Sequence, residues 1–270
     1  MGTKYRQKRT KPIEKIWYIL QPFLVYMVVK TVAMICLSPF HEVLYTSLIN
    51  AIASLCGVAF VMRDFLIEVA ITGEVDIDGN AVRHFFSWIK NGLPLMKAKW
   101  LSLCLTALLA VTSGLTFNIL VSLLQIHSGK YDSVEEIQYA VPFWLGLLLY
   151  CVISPWVEEI VFRGLVFNRM KHYYRLVPSI LISSLMFGGF HGNLPQILYG
   201  TCMGILMCLC YVWMKSFCAP LLFHTAANLF IYLTSTCGVD SQILARPGFC
   251  VLFFAFSLGL LGVIWLLEAK

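Results

Sequence analysis

The residues most able to do chemistry stand in three otherwise apolar stretches. Glu158 and Glu159 lie in Trp156-Val157-Glu158-Glu159-Ile160-Val161-Phe162-Arg163, and His191 follows Phe187-Gly188-Gly189-Phe190. His224 and Asn228 sit four apart in Phe223-His224-Thr225-Ala226-Ala227-Asn228. On a helix, Glu159 and Arg163 at i, i+4 share a face and can form an ion pair. Glu158 then points about 100° away and is the spare carboxylate, free to act as a general base. Such a set suits water activation. Glu158 takes a proton from water beside a neutral His191, while His224 and Asn228 donate to the developing oxyanion of a scissile peptide. Alternatively Glu158, His191 and His224 hold a Zn²⁺ that acidifies its bound water. Those ligands come from three separate segments, and the helical HExxH pattern is absent. The plainer alternative makes both glutamates structural ion-pair partners and both histidines hydrogen-bonded core residues. Lys30 is isolated among apolar neighbours and carries no assigned chemistry.

The elements that position these residues follow from composition. The chain has 270 residues, of which 59% are hydrophobic and only 13% charged, with a mean hydropathy of +0.79. A soluble domain carries about 25% charged residues, so this chain cannot cover a water-facing surface. Disorder is excluded by an aromatic content of 14%. The expected fold is all-α: a polytopic membrane protein of about eight transmembrane helices enclosing a polar catalytic cavity. Apolar runs of roughly the ~20 residues needed to span a bilayer fall at Ile16–Ser38, Val43–Met62, Trp100–Ile126, Ala140–Phe167, Val177–His191, Leu194–Met214, Phe217–Cys237 and Phe249–Leu267. Residues 1–270 read as one integral-membrane domain, with 1–15 a basic N-terminal stretch and 140–237 the core helices. The first run is too long for a cleavable signal peptide.

With an even number of spans both termini share a side. Sixteen Lys and Arg residues fall on that side against Lys130 and Arg246 on the other, so the positive-inside rule makes both termini cytoplasmic. The surplus of basic residues describes topology rather than nucleic-acid binding. Most of the ten cysteines lie in apolar runs as small hydrophobes; Cys237 and Cys250 flank a polar loop, and whether they pair stays open. Asp76-Ile77-Asp78-Gly79-Asn80 lacks the closing Glu of a calcium loop and reads as a turn. Trp17, Trp88, Trp100, Trp144 and Trp213 fall near span ends, where interfacial anchors belong.

In order, Glu158-Glu159-x-x-x-Arg163, Phe187-x-x-x-His191 and His224-x-x-x-Asn228 resemble the EExxxR, FxxxH and HxxxN motifs of the CPBP family. These are the CAAX proteases and bacteriocin-processing enzymes, also called Abi proteins, and include relatives of the type II CAAX prenyl endopeptidase. The likeness covers about Pro155 to Asn228. It implies an intramembrane endopeptidase acting on a membrane-associated protein or peptide, resident in the cell membrane if the source is prokaryotic. By motif, Glu158, His191, His224 and Asn228 would be catalytic, with Glu159 and Arg163 in support. Both zinc-dependent and metal-free, glutamate-dependent mechanisms are attached to the family, so the implied cofactor is none or Zn. Two rival classes stay open: a non-catalytic membrane scaffold or bacteriocin-immunity protein, and a proton- or cation-coupled transporter. The transporter would carry inverted repeats, and no internal repeat is seen.

Overall fold

The computed structural model describes residues 11–41, 45–72, 99–238 and 246–268. The Asp76–Asn80 turn, Trp88, and most of the basic N-terminal stretch lie outside them. The described residues form helices throughout: α1 Pro12–Leu37, α2 Thr46–Thr72, α3 Trp100–Leu123, α4 Gly129–Tyr139, α5 143–171, α6 Leu176–Phe190, α7 Leu194–Met214, α8 Cys218–Thr236 and α9 Pro247–Glu268. Five of these, α1, α3, α5, α7 and α9, are long and apolar enough to cross a bilayer, and α6 is a shorter apolar helix. Large apolar side chains face outward along them, among them Ile35, Leu101, Leu185 and Val251. Exposed apolar surface on this scale suits lipid. Trp17, Trp100 and Trp144 are likewise exposed.

Small residues allow the closest helix contacts. α6 packs on α7 where Gly188 meets Gly200 and Ser184 meets Gly204. A Cβ on Gly188 would sit 2.4 Å from Thr201 Oγ1 and 2.5 Å from the Ile197 carbonyl oxygen. α1 crosses α2 at Gly57, where a Cβ would be 2.7 Å from the Tyr26 ring. In a bilayer, where apolar burial gives no preference for protein over lipid, such close packing is what holds helices together.

α5 is the central element, and it is not a regular α-helix. Residues 149–153 and 160–167 run as π-type turns on either side of Ser154–Glu159. Everything from Ile160 to Met170 is buried. Near its C-terminal end, Arg169 gathers partners from α1 and α2. Its Nε donates to Glu68 (3.1 Å), one Nη to Asp64 (2.7 Å), and the other to the Tyr18 carbonyl (2.8 Å). Tyr18 Oη donates to the same Glu68 (2.5 Å), which also faces His172 Nε2 at 3.0 Å. Arg169 and Lys171 are among the sixteen basic residues that the positive-inside rule counts for topology. In the structure Arg169 is buried, and the Lys171 ammonium lies 4.9 Å from the Phe167 ring centroid.

Helix limits shift the expected depths. With the spans read from sequence, Glu158 would lie about 27 Å along its helix from Ala140, nearer one membrane face, and His191, about 20 Å from Val177, would sit too far from that face. The helix instead runs from Phe143 to Lys171, which puts Glu158 about 22 Å from one end and about 20 Å from the other at 1.5 Å per residue. His191 follows α6 at about 22 Å from Leu176. α8 starts recessed: Phe217 is buried against Phe65, whose ring fills the space beside Gly164. His224, about 9 Å further along α8, thereby reaches the same level. α4, an 11-residue polar helix, is a further departure, since sequence reading places no element there.

Candidate active site

α5, α6 and α8 bring Glu158, Glu159, His191 and His224 together. Glu159 is fully buried, and its Oε1 accepts from both Arg163 Nη1 (2.8 Å) and His224 Nδ1 (2.8 Å). Arg163, itself 1% exposed, stacks 4.3 Å above the Phe187 ring centroid and reaches the Gly204 carbonyl on α7 at 3.4 Å. The i, i+4 pair thus also orients an imidazole from a different helix. Because a carboxylate only accepts, His224 carries its proton on Nδ1 and turns a lone pair on Nε2 toward the site.

His191 is set by the same logic. As the residue just beyond α6, its Nδ1 lies 3.0 Å from the Phe187 carbonyl oxygen, one turn back. A carbonyl only accepts, so Nδ1 donates and Nε2 is again the free lone pair. Gly192, at φ +70, then turns the chain into the next helix. There the Asn193 side chain caps α7 by accepting from the Gln196 N–H (3.1 Å).

Both Nε2 atoms face one oxygen. Glu158 Oε2 lies 3.9 Å from His191 Nε2 and 3.8 Å from His224 Nε2, and has no hydrogen-bond partner among the described residues. Its other oxygen accepts from Ser154 Oγ at 2.5 Å, which holds the carboxylate in place. Three acceptor atoms converging on one point leave a demand for something that donates. The side chains of His191, Glu158 and His224 are 23%, 11% and 8% exposed, so the point is reached past His191. A small apolar cleft lined by Leu109, Ser113, Phe254 and Leu258 lies elsewhere, between α3 and α9.

Asn228 lies one turn beyond His224, but its amide donates to the Tyr150 carbonyl (2.9 Å) in the first π-type turn of α5. It makes no hydrogen bond to Glu158, His191 or His224 among the described residues, and one of its N–H groups stays uncommitted. Ser154 and the Phe187 carbonyl were not singled out by sequence reading. Both stand at i−4 from a site residue, and that helical spacing is the signal that finds them.

The donor chemistry, two imidazole Nε2 atoms and a carboxylate oxygen, is that of zinc. The spacing is looser. Bonds of about 2.0–2.1 Å in a tetrahedral site put donor atoms about 3.3–3.5 Å apart. Here the oxygen-to-nitrogen separations are 3.8 and 3.9 Å, and no group of three His, Cys, Asp or Glu among the described residues is gathered tightly enough to hold an ion. Cys237 and Cys250 are both free thiols.

Residues 140–230, which hold every one of these groups, match the family described as type II CAAX prenyl endopeptidase Rce1-like. That segment, about a third of the chain, is similar to the family. Two bacterial relatives share it in part. One is the putative membrane peptidase YdiL of Bacillus subtilis, 28% identical over 106 residues, covering 39% of this chain and 43% of that protein. The other is the membrane-embedded CAAX protease MroQ of Staphylococcus aureus, 28% identical over 140 residues, covering 47% and 56%. The chain thus spans about half the length of the curated relatives it matches. No solved structure matches it. Together with its apolar helices, the Rce1-like segment makes this an integral membrane protein.

Proposed function

We propose that the protein is an intramembrane endopeptidase that hydrolyses a peptide bond of a membrane-associated protein or peptide, using water held by Glu158, His191 and His224. The observation that supports this most is the unpartnered Glu158 oxygen facing two imidazole lone pairs at 3.8 and 3.9 Å. In this reading a water donates one hydrogen bond to Glu158 and the other to an Nε2. Glu158 takes the proton as the water oxygen attacks the scissile carbonyl carbon. The oxyanion of the tetrahedral intermediate is met by the free N–H of Asn228, while His224, its Nδ1–H fixed by the Glu159 carboxylate, keeps its Nε2 lone pair on the second hydrogen of the attacking water. The proton held by Glu158 passes to the leaving amine as the C–N bond breaks.

The reading includes all of the predicted spans: α2, α6 and α8 join the five longer helices to give about eight, surrounding a polar cavity. Both termini lie on the cytoplasmic side, as the basic residues direct. It assigns hydrolysis to the residues alone, because the donor atoms stand wider than zinc requires. If a metal is held, Glu158 Oε2 and the two Nε2 atoms are its ligands and it supplies Lewis-acid activation of the water.

The test is cleavage of a peptide pool by protein reconstituted in liposomes, with Glu158→Ala beside it, plus metal analysis and chelator treatment. The expected result is cleavage by the wild type that survives chelation, and a loss of about 10²–10⁴-fold in the variant. Equal cleavage by both removes Glu158 from the mechanism. No cleavage by either favours a scaffold or a transporter.

A further inference from the structure

Lys30 lies on α1, outside the Rce1-like segment, yet it borders the site. Its ammonium sits 5.2 Å from the Phe190 ring centroid and 5.9 Å from that of Tyr26. Phe190 in turn lies edge-on to His191, with centroids 6.0 Å apart. Lys30 and Tyr26 both lie within electrostatic range of the Glu158 carboxylate. No hydrogen bond or ion pair to Lys30 exists among the described residues, so two aromatic faces are its contacts. Lys30 is about 27 Å along α1 from Pro12 and about 10 Å from Leu37. A cation at that depth is costly unless an anion meets it. Glu158 supplies a field but no contact.

We infer that Lys30 is a specificity-determining residue that binds a carboxylate of the substrate, carried either at a chain terminus or on an Asp or Glu side chain close to the scissile bond. This rests on the peptidase reading above. It follows from placement: Lys30 stands about 6 Å beyond Tyr26 on the Leu37 side. A peptide whose carbonyl lies at Glu158 and His191 can therefore lay a nearby carboxylate on the ammonium. A second cation, Lys130, approaches Gly192 from α4, so that a Cβ there would be 2.7 Å from its Nζ. It serves as the control.

The experiment measures binding and cleavage separately. A Glu158→Gln protein in nanodiscs is titrated with three fluorescent apolar hexapeptides: a free acid, its carboxamide, and the carboxamide with one internal Glu. The free acid or the Glu peptide is expected to bind about tenfold or more tighter than the plain amide, as a charged hydrogen bond would require. Which of the two does so identifies the source. Lys30→Gln should erase the preference, and Lys30→Arg and Lys130→Gln should keep it, which also controls for misfolding. The inference is overturned if no peptide is preferred, if Lys30→Gln keeps the preference or weakens all three equally, or if Lys130→Gln is the variant that erases it. Carboxylate preference without cleavage by the wild type would sink the peptidase reading alone. Cleavage of acids and amides at equal rates would sink the Lys30 site alone.

Discussion

Glu159 is the residue on which the site's geometry turns, because one of its oxygens serves both Arg163 and His224. Both partners of this ion pair are buried, so removing one leaves an uncompensated charge. Such a break costs about 3–5 kcal/mol, whereas replacing both partners with neutral groups costs much less. Arg163→Met is therefore expected to destabilise the protein by about 3–5 kcal/mol. The double variant Glu159→Gln, Arg163→Met should recover a substantial part of that loss. Denaturant unfolding in micelles measures both. A double variant less stable than Arg163→Met alone would mean that the pair contributes net stability and is more than a positioning device for His224.

At the scale of elements, the site depends on how closely α6 approaches α7. A Cβ on Gly188 would run into the Ile197 carbonyl, which is backbone and cannot move aside, while one on Gly189 meets nothing within 4 Å. Gly188→Ala should cost about 1–3 kcal/mol by overpacking and move His191 off Glu158. Gly189→Ala should leave the thermal midpoint near wild type. α4 gives a pH prediction. Burial, followed by the charge of Glu135, pushes the Tyr131 hydroxyl from 10.0 up to about 12. The folded state therefore prefers the neutral phenol. Its contribution is complete below about pH 10 and is lost as pH rises through about 12. Proteinase K nicking within α4 should increase over that window in the wild type, and Tyr131→Phe should flatten the rise.

What the sequence shows of these elements depends on the range of each interaction. The Glu159–Arg163 pair and the His224–Asn228 face are legible because a helix repeats every 3.6 residues. The bond from His224 to Glu159 joins residues 65 apart on two helices, and nothing local announces it. Arg169 looks like any topology-setting charge, because its partners Asp64, Glu68 and Tyr18 lie on α1 and α2. α2 extends past Met62 to Thr72, a stretch holding Arg63, Asp64 and Glu68 where a hydropathy reading stops. The ion cluster at Arg169 takes up the two acids. The depth of α8 depends on packing around Phe217, so the level shared by the three site residues emerges only from the assembled fold.

For the whole molecule, the family segment supplies α5, α6 and α8, and α1 and α2 brace it through Arg169 at one end and Lys30 and Tyr26 at the site. Residues outside the matched 140–230 thus border the candidate site as well as brace it. The central claim is that Glu158 activates a water held against two imidazoles. Cleavage in ¹⁸O-labelled water by reconstituted wild type and Glu158→Gln tests it most directly. One labelled oxygen in the new carboxylate from the wild type, with no product from the variant, is the predicted result. Labelled product formed by Glu158→Gln at the wild-type rate would contradict it.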